Sequence, residues 1–344
     1  QLLSGWLLRH ARVPSAVKEE HSETAYMTNR AMDFIDEAGD TPWCLHLSYI
    51  KPHWPYIAPA PYHDMYASGD VQEANRSEAE RVEPHPVVEA FMAHEESENF
   101  ARDEVREAVI PAYMGLITQL DDHFGRLVAF LEARGLMDNT LIVVTSDHGD
   151  YLGDHWLGEK ELFHEESVRI PLIVYDPDAA ADGSRGTVDD RLVESIDLAP
   201  TFVEAAGGTV PGHILEGCSL LGPIREQTPS WRDAAVSECD YAFRRARKIL
   251  QRAPGDSRAY MLRTARWKYV EYDGFRPQLF DLAEDPQERE DLGGDPATLK
   301  VREMLHERLF QWLRGRRMRT TVSDTEVERR TDTHKERGFI FGEW

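Results

Sequence analysis

Asp147 and His148 end an apolar run, Leu141–Thr145, and Gly149 follows them at once. A carboxylate oxygen beside an imidazole nitrogen is a usable ligand pair for a divalent cation, and the glycine lets the backbone turn sharply around it. Two donors do not close a coordination shell, so a metal here calls for others from elsewhere in the fold. Lys160, further along the same string DHGDYLGDHWLGEK and just past Gly158, carries a mobile ammonium suited to an anionic oxygen. His53 stands in KPHWPY, with a proline on each side fixing its loop, soon after a second apolar segment, Cys44–Tyr49. If that segment runs parallel to Leu141–Thr145, His53 reaches the same sheet edge. Together the four side chains offer a cation site facing an ammonium, which is chemistry for an anion.

Plainer explanations compete at each position. Asp147 and His148 could cap the following turn, Lys160 could be an ordinary solvated lysine, and His53 could simply pack beside Trp54. Asp121 and Asp122 form a carboxylate pair, but they fall within a helical pattern and are expected on its solvated face. His155 and His164 lie too far from the end of the apolar run for direct ligation and are expected to support the site or the fold.

The elements that would position these groups are legible as periodicity. HSETAYMTNRAMDFIDEAG predicts a helix with Ala25, Met32 and Ile35 on one face and a stop at Gly39. Residues 70–99 are acidic and turn-rich, an expected exposed excursion. Tyr113, Ile117, Leu120, Phe124, Leu127 and Leu131 recur at helical spacing up to Gly135. Strands are expected at Leu141–Thr145 and Pro171–Tyr175, and a helix from about Ser195. Helices alternating with apolar segments predict an α/β fold with a mostly parallel sheet between helices. Beyond Gly222 the pattern changes to short antiparallel strands, in AAVSEC, AYMLRTARWKYVEYD and PQLFDL, followed by a helix in DPATLKVREMLHERLFQWLRG. The expected organisation is therefore an α/β portion over 1–222, a smaller α+β subdomain over 223–318 and a tail over 319–344. The apolar end of that tail, GFIFGEW, is expected to dock on another subunit.

Composition narrows the partners. With 39 Lys and Arg against 62 Asp and Glu, the formal charge is −23, and the overall field repels nucleic acid and anionic lipid. No apolar run is long enough to span a bilayer. Cys44, Cys218 and Cys239 are odd in number and form no C-x-x-C, which argues against a disulfide framework or a thiolate zinc site and fits a reducing, cytoplasmic compartment. The opening QLLSGWLLRHARVPSAV has neither an initiator Met nor a signal-peptide pattern, so the natural N-terminus is expected elsewhere.

Taken in order, LHLSYIKPHWPY, the string from YMGLITQLDDHFG through DHGDYLGDHWLGEK, RIPLIVYDP, ESIDLAPTFVEAAGG with GCSLL, and RTARWKYVEY leading to LFDLAEDPQEREDL resemble the sulfatase branch of the alkaline phosphatase superfamily. Within it the likeness is to phosphonate monoester hydrolases and arylsulfatases, and it spans nearly the whole chain. The resemblance implies that Asp147 and His148 bind one divalent metal ion (Mn, Ca, Mg or Zn), and that Lys160 and His53 hold substrate oxygens or protonate the leaving group. It implies a small anionic ester as substrate, whether a sulfate ester or a phosphonate or phosphate mono- or diester, and a homo-oligomer. The family nucleophile is a formylglycine made from the cysteine of C-x-P-x-R, and none of Cys44, Cys218 and Cys239 stands in that pattern. The N-terminal acidic metal ligands are not found either. The chain is therefore expected to be the C-terminal portion of a metal-dependent hydrolase. A catalytically inactive remnant that serves as a binding or assembly partner is the alternative, and a two-metal phosphomutase or phosphatase of the same superfamily is a third.

Overall fold

The computed structural model describes residues 8–227, 230–316 and 320–331. The chain forms two compact units: one runs up to Pro177 and includes Asp240–Ser257, and the other comprises Asp178–Cys239 and the residues from Arg258 onward. This division follows packing, whereas the boundary drawn at Gly222 followed a change of pattern. The tail's apolar end, expected to dock on a subunit, lies outside the described residues.

In the first unit α1 (Glu23–Ala38) begins where the Ser22 hydroxyl accepts the Ala25 amide at 3.1 Å, and it ends at Gly39 with φ +55°. Ala25, Ala31 and Ile35 are buried along it. Next come α2 (Pro86–Met92), α3 (Glu95–Phe100) and the long α4 (Asp103–Ala133), then β1 (Ile142–Thr145), α5 (Glu165–Val168) and β2 (Leu172–Tyr175). The core gathers Val105, Val109 and Ala112 of α4 with Ala11, Tyr56 and Phe100.

Three expectations change here. The buried stripe of α4 is Val105, Val109, Ala112, Leu116, Gln119 and His123, while Ile117 of the expected stripe is 45% exposed. Polar Gln119 and His123 belong to the buried face because Ser22 and Glu19 satisfy them, at 3.0 and 2.6 Å, and hydropathy alone does not register such partners. Gly115 sits on the same side, where a Cβ would stand 2.1 Å from the Tyr62 carbonyl oxygen. The supposed exposed excursion is folded and packed: Val87, Val88, Ala90 and Phe91 of α2 and Phe100 of α3 are buried. Finally, β1 and β2 pair antiparallel, Ile142 opposite Tyr175, and Cys44–Tyr49 joins no ladder among the described residues. Its burial still alternates with period two from Trp43 to Tyr49, as in a strand. Helix–strand alternation predicts layers, but it cannot by itself distinguish the direction in which two neighbouring strands run. The other carboxylate expectation stands as a surface feature: Asp121 and Asp122 are exposed, and Asp122 accepts the Tyr62 hydroxyl at 2.7 Å.

In the second unit α6 (Leu198–Ala205) and α7 (Leu221–Ile224) precede β3 (Ala234–Asp240). Asp197, fully buried, takes both Arg232 guanidinium nitrogens at 2.5 Å and the Cys218 amide at 2.7 Å, so the charge is paired and hydrogen-bonded. After α8 (Arg245–Ile249), which belongs to the first unit, β4 (Arg258–Thr264), β5 (Trp267–Tyr272) and β6 (Gln278–Asp281) complete a sheet of order β3-β4-β5-β6, with β4–β5 and β5–β6 antiparallel. Then α9 (Leu299–Gly315) lays Leu305 and Leu309 against Leu262, Tyr269 and Leu279. The last described helix is α10 (Asp324–Arg330). Lys268 on β5 is fully buried and pairs with Glu288 at 2.6 Å.

Candidate active site

All four expected site residues belong to the first unit. At the end of β1 the Thr145 hydroxyl donates to the Pro171 carbonyl at 2.9 Å, and the chain then turns through Asp147 and His148. The Gly149 amide donates to the Ser167 carbonyl at 2.8 Å, which seats the turn on α5. A Cβ on Gly149 would lie 1.9 Å from the Glu166 carbonyl oxygen, so only glycine fits.

His148 Nδ1 donates its hydrogen to the Gly149 carbonyl at 2.7 Å. In the neutral ring this leaves the Nε2 lone pair available, and Nε2 stands 3.4 Å from Asp147 Oδ2. Both donors can reach one cation with bonds of about 2.0–2.2 Å, and a histidine tied back to a carbonyl through its other nitrogen is the usual support for such a ligand. Asp147 is 86% exposed, so the carboxylate presents itself outward from the turn. Among the described residues no group of three or more His, Cys, Asp and Glu side chains is arranged to hold a metal. The residues present therefore fit part of a metal shell and leave the remaining donors unassigned.

His53 meets Lys160 directly, Nζ to Nε2 at 2.8 Å. Because His53 Nδ1 donates to the Trp54 carbonyl at 2.9 Å, its Nε2 accepts from the ammonium. Its ring lies edge-on to His148, with centroids 5.9 Å apart, so both histidines belong to one cluster. Glu159 stands 3.5 Å from the Lys160 ammonium. The Ser167 hydroxyl donates to the Lys160 carbonyl and anchors its backbone to α5.

Two features that join these parts had only faint signals in the sequence. Tyr56, at the end of KPHWPY, donates to Asp150 Oδ2 at 2.8 Å, linking the His53 loop to the Asp147–His148 turn. Burial raises the Asp150 pKa to about 7 against the opposing effect of that hydrogen bond, and burial, with the same carboxylate adding to it, lifts Tyr113 to about 12. The second feature is the chain from Gln72 to Arg81, which clasps the loop carrying Lys160. Its Asn75 carbonyl accepts the His155 amide at 2.8 Å, and the Ser77 carbonyl accepts Trp156 Nε1 at 2.8 Å. Arg106 of α4 donates to both Leu152 and Gln72 carbonyls at 3.0 Å. Leu152, His155, Trp156, Glu159 and Leu162 all hold positive φ, a concentration of left-handed backbone that the clasp sustains.

His155 lies within that clasp and is 1% exposed. Its Nδ1 is 2.6 Å from Glu80, and its Nε2 is 3.3 Å from Glu166 and 3.2 Å from the Asn75 side-chain nitrogen, so the ring lies between two carboxylates. Burial by itself would push its pKa down; Glu166 and Glu80 outweigh it and raise it to about 9. His164 stacks on this ring at 4.1 Å and takes up the Tyr151 hydroxyl at 2.9 Å. Both rings are held within the loop that surrounds the site.

Residues 7–208 match the sulfatase family model, and residues 153–314 match that of the N-sulphoglucosamine sulphohydrolase C-terminal region. The "Multifunctional alkaline phosphatase superfamily protein PehA" of Trinickia caryophylli is 34% identical over 316 residues, which cover 87% of this chain and 61% of that protein. An arylsulfatase of Clostridium perfringens is 28% identical over 91% of this chain and 61% of its own length. The chain thus spans about three fifths of these relatives. Among solved structures, the phosphonate monoester hydrolase of Silicibacter pomeroyi superposes with a TM-score of 0.82 at 28% identity, over 92% of this chain and 65% of that one. The enzyme of Agrobacterium radiobacter gives 0.78 at 30%, over 87% and 62%. The sulfatase model alone covers more than half of the residues, and the shared fold extends over nearly all of them, so the chain belongs to the sulfatase family of the alkaline phosphatase superfamily.

Proposed function

We propose that this chain carries part of the active site of a metal-dependent hydrolase of sulfate esters or of phosphonate or phosphate mono- or diesters. The observation that carries the proposal is the cluster in which Lys160 contacts His53 while His53 faces His148, itself paired with Asp147. Asp147 and His148 would hold a divalent cation, which when bound would supply Lewis-acid polarisation of an ester oxygen. Lys160 supplies a positive hydrogen-bond donor for the anionic group, in a chain whose net charge otherwise repels it. The proton shared between Lys160 Nζ and His53 Nε2 is placed for transfer to a departing oxygen. In the family the nucleophile is a formylglycine, and none of Cys44, Cys218 and Cys239 stands in the sequence from which one is made.

The test is titration of the full-length protein, including the segment that the proposal expects to bear the formylglycine, with Mn and with Ca by calorimetry, alongside hydrolysis of nitrophenyl sulfate and of a nitrophenyl phosphonate ester. His148→Ala is expected to weaken cation binding at least tenfold and to abolish any hydrolysis. Undiminished binding and turnover in that variant would refute the assignment, and binding without turnover in the parent protein would favour an inactive binding partner.

A further inference from the structure

The loop that carries His53 has an unusual internal support. Lys51 turns its side chain back on its own segment, and its ammonium donates to the His53 carbonyl at 3.2 Å and to the Pro55 carbonyl at 2.5 Å. Pro52 and Pro55 lack amide hydrogens, so this turn has few backbone donors of its own. Backbone bonds here run from the His53 amide to the Ile50 carbonyl at 3.1 Å and from the Ile57 amide to the Pro55 carbonyl at 2.8 Å. The ammonium supplies what the prolines remove.

We infer that Lys51 is a positioning residue, whose charged side chain clamps the His53 and Pro55 carbonyls and so aims the His53 ring at Lys160. The inference goes beyond the proposed function in naming what orients its proton donor, and only its kinetic arm rests on that function. The clamp needs the ammonium, because an amine donates weakly. Burial draws the Lys51 pKa down to about 8, with the Glu23 carboxylate of α1 opposing. The charged groups that bear on the clamp are thus Glu23 on one side and, beyond the His53 ring, Lys160. As pH rises through the Lys51 pKa the clamp is lost.

The experiment is an NMR titration of the full chain with labelled histidine, assigning the His53 ring signals by comparison with His53→Gln. The expected result in the parent protein is a shift of those signals with a midpoint near pH 8. In Lys51→Arg, whose guanidinium stays charged, the step is absent up to about pH 10. In Lys51→Met the signals already sit at their alkaline positions at neutral pH. If the His53 signals pass through pH 8 unchanged, or Lys51→Met leaves them where the parent protein has them, Lys51 is only a local structural lysine and the inference falls. In the kinetic arm, with a nitrophenyl ester and Mn, Lys51→Met is expected to lower kcat roughly tenfold with little change in KM. Lys51→Arg should remove the alkaline limb of the parent profile. The kinetic arm uses the full-length protein with the expected formylglycine segment; if that protein cleaves no ester, the functional proposal fails while the NMR titration still decides the role of Lys51.

Discussion

The His155 cluster yields the most quantitative expectation. A buried imidazolium between Glu80 and Glu166 has a folded pKa of about 9, above its ordinary 6.5, so its stabilising contribution is complete below about 6.5 and disappears as pH rises through 9. At about 1.4 kcal/mol per tenfold, that span corresponds to roughly 3 kcal/mol. The perturbation is His155→Gln, which removes the titrating charge, and the assay is urea unfolding of both proteins from pH 6 to pH 10. The parent protein is expected to exceed the variant in stability by several kcal/mol at pH 6, and the gap should shrink by about 3 kcal/mol on reaching the alkaline end. Reading the difference matters because Lys51 works in the opposite sense: its folded pKa lies below its ordinary value, so both proteins gain stability from it as pH rises past 8. On the acid side the same pair appears through Glu166. Burial would raise its pKa, but His155 holds it down to about 2, so the stabilisation is lost as pH falls from 4.5 through that value and is not a second contribution. A gap between parent and variant that stays constant from pH 6 to pH 10 would refute the imidazolium assignment.

Three further outcomes follow from the packing. Gly149→Ala should cost more than about 3 kcal/mol or abolish cation binding, since the new methyl would overlap the Glu166 carbonyl; a thermal melt and a Mn titration check it. Tyr56→Phe leaves the Asp150 carboxylate without its hydroxyl donor and should destabilise by about 1–3 kcal/mol, measured by urea unfolding. Lys268→Met removes the ammonium that pairs with buried Glu288 and should cost about 3–5 kcal/mol, whereas adding Glu288→Leu should recover much of that loss in the same unfolding assay.

The parts legible in the sequence are those that depend on local pattern. Gly39 marks the end of α1, and β4, β5 and α9 follow from alternation and helical spacing. Asp147, His148, Lys160 and His53 were expected at one site from their residue types after an apolar segment and from the family resemblance. The direct bond between Lys160 and His53 was not legible, since they are 107 residues apart and it depends on tertiary structure. The clasp of residues 72–81 was hidden for a related reason: its Glu80 looks like surface in composition, and only a partner such as His155 makes it interior. The same holds for Gln119 and His123, whose polarity hid the buried face of α4.

The segment Asp240–Ser257 departs from the second unit and returns to it, contributing α8 to the first. There Arg244 pairs with Glu161, the neighbour of Lys160, and the Ala246 amide donates to His94 Nε2 at 2.9 Å. During synthesis the loop bearing Lys160 therefore emerges well before the arginine that braces it. A nascent chain halted ahead of Asp240 would hold Asp147, His148, Lys160 and His53 yet lack this brace, so vectorial folding leaves the first unit unfinished until part of the second has been made.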